Sequence, residues 1–251
     1  MTRSIVCGAS QGIGRAVAKA LALRGDEVHL LARRAGPLEA VAADLRARGA
    51  HATPWPVDLA DPQDLDGTLD AILATGPVQV LIHNTGGPPG GPLLKASVDA
   101  LRDTFLQHVG SAHQMAQRLV PQMGTYGRIV CVVSTSVREP LDGLGVSNTV
   151  RAAMGGWCKT LSRELPPGVT VNCVLPGPTD TERLTAIAEA TAQRTGKDVD
   201  AVRTQMVSAV PEGRIASADE IASVVAFLAS EAASFVRGTA LAVDGGRSRA
   251  I

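Results

Sequence analysis

A glycine-rich turn near the N-terminus is the first part of the chain whose composition suits ligand binding. Its glycines follow the spacing G-x-x-x-G-x-G after an apolar segment, and a helical pattern begins directly behind them. Glycine lets the backbone approach a phosphate closely, and the free N–H groups of a helix N-terminus attract an anion. The pattern predicts a dinucleotide-binding turn, although a turn that only packs a strand on a helix has the same composition. The predicted turn residues are Gly8, Ser10, Gln11, Gly12, Ile13 and Gly14.

Two arginines, Arg33 and Arg34, follow the next apolar segment. In sites for NAD, this position carries an acidic residue that binds the ribose hydroxyls, about twenty residues past the glycines. A guanidinium group instead suits a 2′-phosphate, because its planar donors match phosphate oxygens. We therefore expect NADP as the cofactor, with NAD less favoured; the alternative is a pair of solvated surface arginines.

Polar residues also follow the third and fourth apolar segments. Asp58 and Leu59 come after the third, and Asn84, Thr85 and Gly86 come after the fourth. Nucleotide contacts gather at strand ends in folds of this kind, so these residues are further candidates for cofactor binding. Both groups equally suit ordinary turns, in which Asp and Asn side chains bond to the backbone.

Short apolar or β-branched segments alternate with longer helical patterns along the chain. Parallel neighbours need crossover connections, so this alternation predicts an α/β, doubly wound Rossmann fold: a seven-stranded parallel sheet with helices on both faces. Ligands of such a fold bind at the carboxyl ends of the strands. The predicted strands are Ser4–Cys7, Glu27–Leu31, Thr53–Val57, Val78–His83, Arg128–Ser134, Thr170–Leu175 and Ala240–Val243. The predicted helices are Gly12–Arg24, Pro37–Arg48, Pro62–Ala74, Val98–Met123, Asn148–Leu165 and Ala218–Ser230.

One irregular segment, from Gly177 to Arg214, interrupts this alternation. It contains a weakly amphipathic stretch at Thr181–Arg194, and a segment of this length in a compact domain is more often a substrate lid than a plain loop. Neither a linker nor a repeat divides the chain. We therefore expect a single domain over residues 1–251, with a substrate lid within about 178–214.

The composition of the 251-residue chain limits the classes of partner. Lysine plus arginine and aspartate plus glutamate number 24 each, which favours neither nucleic acid nor an anionic membrane, so we expect a small-molecule substrate. The four cysteines show no metal-ligand spacing and indicate buried, reduced thiols rather than a metal site. Polar and glycine residues interrupt the N-terminal apolar run before it could form a signal peptide or a membrane span, so we expect a cytoplasmic protein.

These motifs, in this order, resemble those of the short-chain dehydrogenase/reductase family over essentially the whole chain. Within that family the chain is most similar to the 3-oxoacyl-acyl-carrier-protein reductase group. This similarity implies NADP dependence and a homotetramer formed through the helices that begin near Val98 and Asn148 and through the C-terminal strand. Further motifs that carry the resemblance are Gly127-Arg128-Ile129-Val130, Ser134, Pro176-Gly177 and Val243-Asp244-Gly245-Gly246.

The resemblance also implies a role for each part of the cofactor site. The glycine turn would hold the pyrophosphate, Asp58 would contact the adenine, and Asn84 to Gly86 would line the adenosine ribose. Cys7 and Thr85 depart from the family's usual residues, but neither change removes a backbone donor. The residues expected to border the nicotinamide are Pro176, Gly177, Thr179 and Thr181.

The catalytic positions depart from the family much further. Ser134 matches the family's serine, but Ser147 stands where the family has tyrosine, and Arg151 stands where it has lysine. His108 occupies the position of the family's asparagine. The chain's only tyrosine, Tyr126, precedes the fifth strand and cannot substitute.

These replacements change the chemistry that the resemblance implies. In the family, tyrosine exchanges a proton with the substrate oxygen, lysine lowers the tyrosine pKa and holds the ribose, and serine hydrogen-bonds the substrate. A serine hydroxyl is a weaker acid than a phenol and reaches less far, so Ser147 cannot simply replace the tyrosine. Arg151 stays charged, and it can hold ribose or stabilise an oxyanion but cannot relay protons as lysine does.

His108 is the candidate proton source, directly or through water, because the ordinary pKa of histidine lies near neutrality. The alternative is a helix histidine whose ring is satisfied by backbone groups. The other four histidines, His29, His51, His83 and His113, are expected to have structural roles.

The sequence leaves three functions open. The leading hypothesis is an NADP-dependent oxidoreductase that acts on a carbonyl or hydroxyl group through an altered proton relay. The first alternative is an NADP-binding protein with little or no turnover, which regulates assembly or a partner. The second is non-redox lyase or dehalogenase chemistry on the same fold, where arginine also replaces the lysine. It ranks third because those relatives usually keep the tyrosine.

Overall fold

The computed structural model describes residues 1–88 and 90–249, so residues 89, 250 and 251 of the expected domain lie outside the described part. Its strands are β1 (Arg3–Cys7), β2 (Glu27–Ala32), β3 (Ala52–Pro56), β4 (Val80–Asn84), β5 (Gly127–Val132), β6 (Val169–Pro176) and β7 (Ala240–Val243). They form one sheet in the order β3-β2-β1-β4-β5-β6-β7, and every neighbouring pair is parallel. The predicted doubly wound sheet is confirmed, with the direction of winding reversed between β1 and β4.

Helices connect the strands and follow most of the predicted patterns, with ends that differ by a few residues. They are α1 (Gly12–Leu23), α2 (Ala35–Ala47), α3 (Pro62–Leu73), α4 (Val98–Phe105), α5 (Ser111–Leu119), α6 (Gly145–Glu164), α7 (Glu182–Thr195), α8 (Val199–Ser208) and α9 (Ala218–Leu228). At the start of α9, the Ser217 Oγ accepts the Glu220 N–H at 3.3 Å, and a Glu220 carboxylate oxygen accepts the Ser217 N–H at 2.8 Å. This reciprocal cap satisfies two backbone donors at a fixed helix start.

The sheet has an apolar core on each face, because successive residues of a strand point to opposite sides. Ile5 and Leu81 belong to the core that α3, α5 and α6 cover, whereas Val6 and Ile82 belong to the core under α1, α2 and α9. Since helices cover both faces, the strand ends form the edges at which a ligand can approach. No helix among the described residues is long and apolar enough to cross a membrane.

The predicted helix Val98–Met123 is interrupted. α4 passes into a π-helical turn at Leu106–Gly110, α5 follows it, and a 3-10 turn ends the segment. The Oγ of Ser111 donates to the Gln107 carbonyl at 2.6 Å, and a side-chain bond of this kind competes with the regular helical pattern. π-helical turns occur frequently at functional sites, and this one contains His108.

The segment from Gly177 to Arg214 is less irregular than predicted, because it holds α7 and α8. Thr181 caps α7 and Asp198 caps α8, each through a side-chain oxygen that accepts a backbone N–H. Gly196 ends α7 in the left-handed region, with φ +70°. The two helices pack on each other, so the segment has its own small core beside the sheet. That core consists of Ala188, Ala192 and Val202.

Candidate active site

The carboxyl ends of the strands meet at one edge of the sheet, where a cleft of about 1620 Å³ opens. The turns after the strands line this cleft together with parts of α6, α7 and α8. Among the residues predicted from the sequence to bind cofactor or act in catalysis, all but Gly14 and His108 line it. The structure therefore brings the predicted cofactor and catalytic residues into one cavity.

The glycine turn forms one wall of the cleft, and its glycines have different tasks. Gly8 and Gly12 have positive φ angles of 62° and 54°, which favour glycine. A Cβ on Gly14 would lie 2.1 Å from the Gly8 carbonyl oxygen, so Gly14 lets α1 pack closely on β1. Gly14 thus packs the helix on the strand, whereas Gly8 and Gly12 line the cleft, where the predicted dinucleotide would bind.

The N-terminus of α1 adjoins the cleft without a capping side chain. Its N-cap residue, Gln11, makes no side-chain bond to the first backbone N–H groups, and the first turn holds no acidic residue. Those N–H groups are available to an anion, and the helix dipole adds to the attraction. The residues present here fit the pyrophosphate of a dinucleotide.

Arg33 and Arg34 lie at the edge of the cleft beside the glycine turn. Both are exposed, and a guanidinium nitrogen of Arg34 donates to the side-chain oxygen of Gln11. Arg34 is also the N-cap residue of α2, so a helix N-terminus adds positive potential at this point. Two cations and a helix N-terminus fit a 2′-phosphate, and no carboxylate among the described residues pairs with Arg33 or Arg34.

Asp58 and Asn84 line the cleft but also hold their own turns. An oxygen of the Asp58 carboxylate accepts the Ala60 N–H at 3.0 Å, and the Asn84 side-chain amide donates to the Cys7 carbonyl at 3.3 Å. These bonds leave one Asp58 oxygen and the Asn84 side-chain oxygen for a ligand. A role in the turn and a role in the cleft are thus compatible for both residues.

Ser134, Ser147 and Arg151 come together from two elements. Ser134 lies after β5, while Ser147 and Arg151 lie one turn apart on α6. Arg151 donates through Nε to the Ser147 Oγ at 3.3 Å and through a terminal nitrogen to the Val133 carbonyl. The Ser134 Oγ accepts the Ser136 N–H at 3.1 Å, which leaves its own O–H able to donate to a ligand.

Arg151 supplies a fixed positive charge to this part of the cleft. Burial, followed by the charge of Arg183, lowers the pKa of Arg151 to about 10. The guanidinium group therefore stays protonated at neutral pH. A cation held beside the Ser147 hydroxyl can stabilise negative charge that develops on a substrate oxygen.

His108 reaches the cleft only through its neighbour. Its ring is buried, with 2 % exposed, and its Nδ1 lies 2.6 Å from the Oγ1 of Thr85, which lines the cleft. Burial, followed by the charges of Arg151 and His83, lowers the pKa of His108 to about 3. The pKa of His108 thus lies well below the ordinary histidine value on which its candidacy as a proton source rested, and the imidazole is neutral at pH 7.

Tyr126 and the buried His83 lie outside the cleft. The Tyr126 hydroxyl donates to the Ala229 carbonyl at 2.8 Å, on the other side of the sheet from α6. His83 contacts the Ser111 Oγ at 2.9 Å, and burial followed by the charge of Arg151 lowers its pKa to about 4. The cleft thus contains no phenol, as the sequence indicates.

Two arginines of α7 that the sequence pattern did not single out also line the cleft, Arg183 and Arg194. A terminal nitrogen of Arg183 donates to the Pro88 carbonyl at 2.5 Å, so this side chain spans from α7 to the segment after β4. Arg194 lies against Gly143, where an added Cβ would come within 2.2 Å of it. Arg183 lies two residues after Thr181, at the start of a helix. This position in the sequence could have identified it as a residue of the cleft.

Comparison with known proteins places this architecture among nicotinamide-dependent reductases. The family model described as Enoyl-(Acyl carrier protein) reductase matches residues 8–248. The chain is 31% identical over 247 residues to the 3-oxoacyl-[acyl-carrier-protein] reductase FabG of Escherichia coli, a match that covers 97% of this chain and 96% of the relative. It is 30% identical over 255 residues to the NADPH-dependent reductase BacG of Bacillus subtilis, with 99% and 98% covered.

A solved structure shows the same similarity in three dimensions. The L-sorbose reductase of Gluconobacter frateurii, in complex with NADPH and L-sorbose, superposes with a TM-score of 0.93. The two chains are 28% identical, and the superposition covers 100% of this chain and 97% of the reductase. The likeness extends over the sheet, the cleft and the α7–α8 segment, because almost no part of either chain is left out.

Proposed function

The chain belongs to the short-chain dehydrogenase/reductase family, and on this premise we propose that it is an NADP-dependent oxidoreductase that acts on a carbonyl or hydroxyl group through a non-standard catalytic site. The observation that carries the proposal is that Ser134, Ser147 and Arg151 line the same cleft as the glycine turn and Arg33. Relatives that depend on NADPH or bind it support the choice of cofactor.

The cofactor would lie along the strand ends, held at three points. Arg33 and Arg34 would bind the 2′-phosphate, the free N–H groups of α1 would bind the pyrophosphate, and the segment from Pro176 to Thr181 would border the nicotinamide. NADPH, when bound, supplies a hydride to the carbonyl carbon of the substrate and is thereby oxidised to NADP⁺. The α7–α8 pair, within the expected lid at about 178–214, closes the substrate side of the cleft.

The side chains of the chain itself act on the substrate oxygen. The Ser134 O–H donates to it and fixes the carbonyl, while the Arg151 charge, held beside Ser147, stabilises the negative charge that develops on the oxygen. Water bound at the Ser147 hydroxyl supplies the proton. The neutral ring of His108 acts as a positioning group, since it fixes the Thr85 hydroxyl at the cleft wall.

A second candidate function, an NADP-binding protein with little or no turnover, is favoured by one specific observation. The only tyrosine of the chain donates its hydroxyl to the Ala229 carbonyl, so no phenol is available in the cleft as a general acid. A phenol of this kind contributes about 10²–10⁴-fold to a proton-transfer step. Without it, cofactor binding can persist while catalysis is slow.

One experiment distinguishes the two candidate functions directly. NADPH binding is followed by nicotinamide fluorescence, and NADPH oxidation is followed by absorbance with a panel of ketones, aldehydes and oxo acids. Under the oxidoreductase proposal, the protein oxidises NADPH with a panel member, and Ser134→Ala lowers kcat by about 10²-fold with the NADPH Kd unchanged. Tight NADPH binding with no oxidation on the whole panel would favour the second candidate instead.

We also propose that the protein is a cytoplasmic homotetramer. Apolar side chains are exposed from the segment before α4 to the π-helical turn after it, and contiguous exposed apolar surface often marks a contact between subunits. These side chains are Leu94, Val98, Phe105 and Leu106. A mass of four chains in light scattering at micromolar concentration is the expected result.

A further inference from the structure

Two of the arginines that line the cleft, Arg151 and Arg183, are partly buried and form no ion pair with any described carboxylate. Arg151 comes from α6 and donates to the Val133 carbonyl just past the end of β5, while Arg183 comes from α7 and donates to the Pro88 carbonyl past the end of the neighbouring strand β4, so both line the cleft at the ends of paired strands. Both are partly buried, and burial is the main cause of the lowered pKa of each. Among the described residues, no carboxylate contributes to the pKa of either arginine. The pair therefore forms a positive region that the protein does not neutralise.

Some other arginines of the chain are neutralised by a carboxylate. Arg203 pairs with Asp180 at 3.6 Å, and the buried Arg3 pairs with Glu27 at 3.2 Å. Partly buried like charges repel each other, and a desolvated cation without a partner costs free energy. Carboxylates do occur on the cleft wall, at Asp58, Glu139, Asp142 and Glu182, but none of them forms an ion pair with Arg151 or Arg183.

Each arginine also keeps hydrogen-bond donors for a ligand. Arg151 uses its Nε for Ser147 and one terminal nitrogen for the Val133 carbonyl, which leaves its second terminal nitrogen. Arg183 uses one terminal nitrogen for the Pro88 carbonyl, which leaves its Nε and its other terminal nitrogen. A guanidinium group presents paired N–H donors that match the two oxygens of a carboxylate. The pair is thus fixed in place by the protein and still able to bind an anion.

We propose that the substrate is a small oxo acid whose carboxylate is bound by Arg151 and Arg183, with its carbonyl beside Ser134. This inference rests on the proposed function, because it names the substrate class for the same cleft. The carboxylate binds Arg183 and the second terminal nitrogen of Arg151, while the Arg151 Nε, which contacts the Ser147 Oγ at 3.3 Å, stays beside the substrate carbonyl, so the carbonyl lies within a few bonds of the carboxylate. A 2-oxo or 3-oxo acid meets this requirement, whereas a neutral ketone leaves both charges unpaired.

The proposal is tested by binding in the absence of turnover. The protein saturated with NADP⁺, which has no hydride to give, is titrated calorimetrically with 2-oxo and 3-oxo acids of about four to eight carbons and with the methyl ester of each. We expect the best acid to bind about 10–100-fold more tightly than its ester, the range for charge-assisted hydrogen bonds. Equal affinities for every acid and its ester would overturn the proposal.

Variants test whether the preference for the acid over its ester comes from Arg151 and Arg183. Arg183→Gln should reduce the preference for acid over ester at least tenfold and change the NADP⁺ Kd less than twofold. Arg183→Lys keeps the charge and should retain part of the preference, which distinguishes a charge effect from misfolding. The matched control is Arg163→Gln, which removes an exposed arginine of the same α6 helix outside the cleft and should leave the preference intact.

The remaining outcomes are also decisive. If Arg183→Gln weakens NADP⁺ as much as it weakens the acid, Arg183 binds the cofactor phosphates and the proposal is wrong. If the acid binds with the expected preference but NADPH is never oxidised, the proposed reductase function fails while the acid-binding site stands. The same titration therefore separates the failure of the substrate class from the failure of the reaction.

Discussion

Arg151 donates through Nε to the Oγ of Ser147, 3.3 Å away and one turn earlier on α6. This contact joins the two residues that the sequence pattern predicts to stand where the family has its lysine and its tyrosine. The guanidinium group cannot give up its proton at neutral pH, and the serine side chain is too short to extend as a phenol does. The site is therefore organised to stabilise charge on a bound oxygen rather than to transfer a proton through its own side chains.

The first prediction concerns a variant in which the tyrosine and lysine of the family pattern are restored. The double variant Ser147→Tyr with Arg151→Lys should raise the turnover of simple ketones, because a positioned phenol contributes about 10²–10⁴-fold as a general acid. Its NADPH Kd should change little, because the glycine turn and Arg33 are untouched. Initial rates and fluorescence titration measure both. A rate that stays at the original level with normal NADPH binding would show that the geometry around position 147 does not accept a phenol.

The second prediction concerns the choice between NADP and NAD. Arg33→Asp removes an exposed cation at the end of β2 and puts an acidic residue where ribose hydroxyls are bound in NAD sites. We expect the binding free energy of NADPH to weaken by about 1.5–3 kcal/mol, with a gain for NADH. Arg163→Asp, on the exposed part of α6, is the control for a change of net charge. Equal NADPH and NADH affinities in the unchanged protein would contradict the assignment of Arg33.

The third prediction compares two glycines that differ in their surroundings. Gly14→Ala would place a Cβ 2.1 Å from the Gly8 carbonyl oxygen, so we expect the free energy of unfolding to fall by about 1–3 kcal/mol and NADPH binding to weaken. Gly67→Ala, at an exposed position of α3, meets no atom within 4 Å and should stabilise the helix by about 0.5–1 kcal/mol without affecting NADPH binding. Urea unfolding with and without NADPH measures both. Similar stability of the two variants would contradict the close packing of α1 on β1.

The fourth prediction follows from the buried histidines. Burial lowers the pKa of His29 and His83 to about 4 and that of His108 to about 3. The unfolded chain therefore binds more protons than the folded one as the pH falls below about 6.5. The stabilisation is complete above that pH and is lost as the pH decreases towards these lowered values. Each histidine adds up to about 1.4 kcal/mol per pH unit to the slope of the unfolding free energy.

Urea unfolding between pH 7 and pH 5 checks this slope. His108→Asn should make the slope shallower, because one buried imidazole no longer has to stay neutral. The matched control is His51→Asn, since His51 lies exposed before β3. If the two variants have the same slope, the imidazole of His108 is not held neutral by the fold.

Some parts of this structure could be predicted from the sequence because they depend on local patterns. The alternation of apolar segments and helices determines the parallel sheet, and the spacing of Gly8, Gly12 and Gly14 indicates the turn before α1. The interruption at Leu106–Gly110 could not be predicted in this way, because the residues there have no distinctive pattern and their side-chain bonds, from Ser111 to the Gln107 carbonyl and between His108 and Thr85, are visible only in the structure. The low pKa of His108 likewise depends on burial and on Arg151, which a sequence pattern does not place beside it.

Some residues of the cleft could likewise be predicted from the sequence, and others could not. Ser134, Ser147 and Arg151 are found by their spacing, whereas Arg183 reaches the site only because α7 folds over the strand ends. Its segment contains mostly small and polar residues, so its helices are weakly amphipathic and their packing is set by a tertiary cluster around Ala188. Contacts of this kind link distant segments, and they become visible only in three dimensions.

Hydride transfer itself is the central claim, and isotope labelling tests it most directly. The protein is mixed for a single turnover with NADPH that carries deuterium at the transferred position of the nicotinamide, together with each oxo acid of the panel. We predict that the alcohol formed from at least one acid contains the deuterium and that Ser134→Ala slows its appearance by about 10²-fold. Product without deuterium, or NADPH that remains unoxidised with every acid, would contradict the assignment of this chain as an NADP-dependent oxidoreductase.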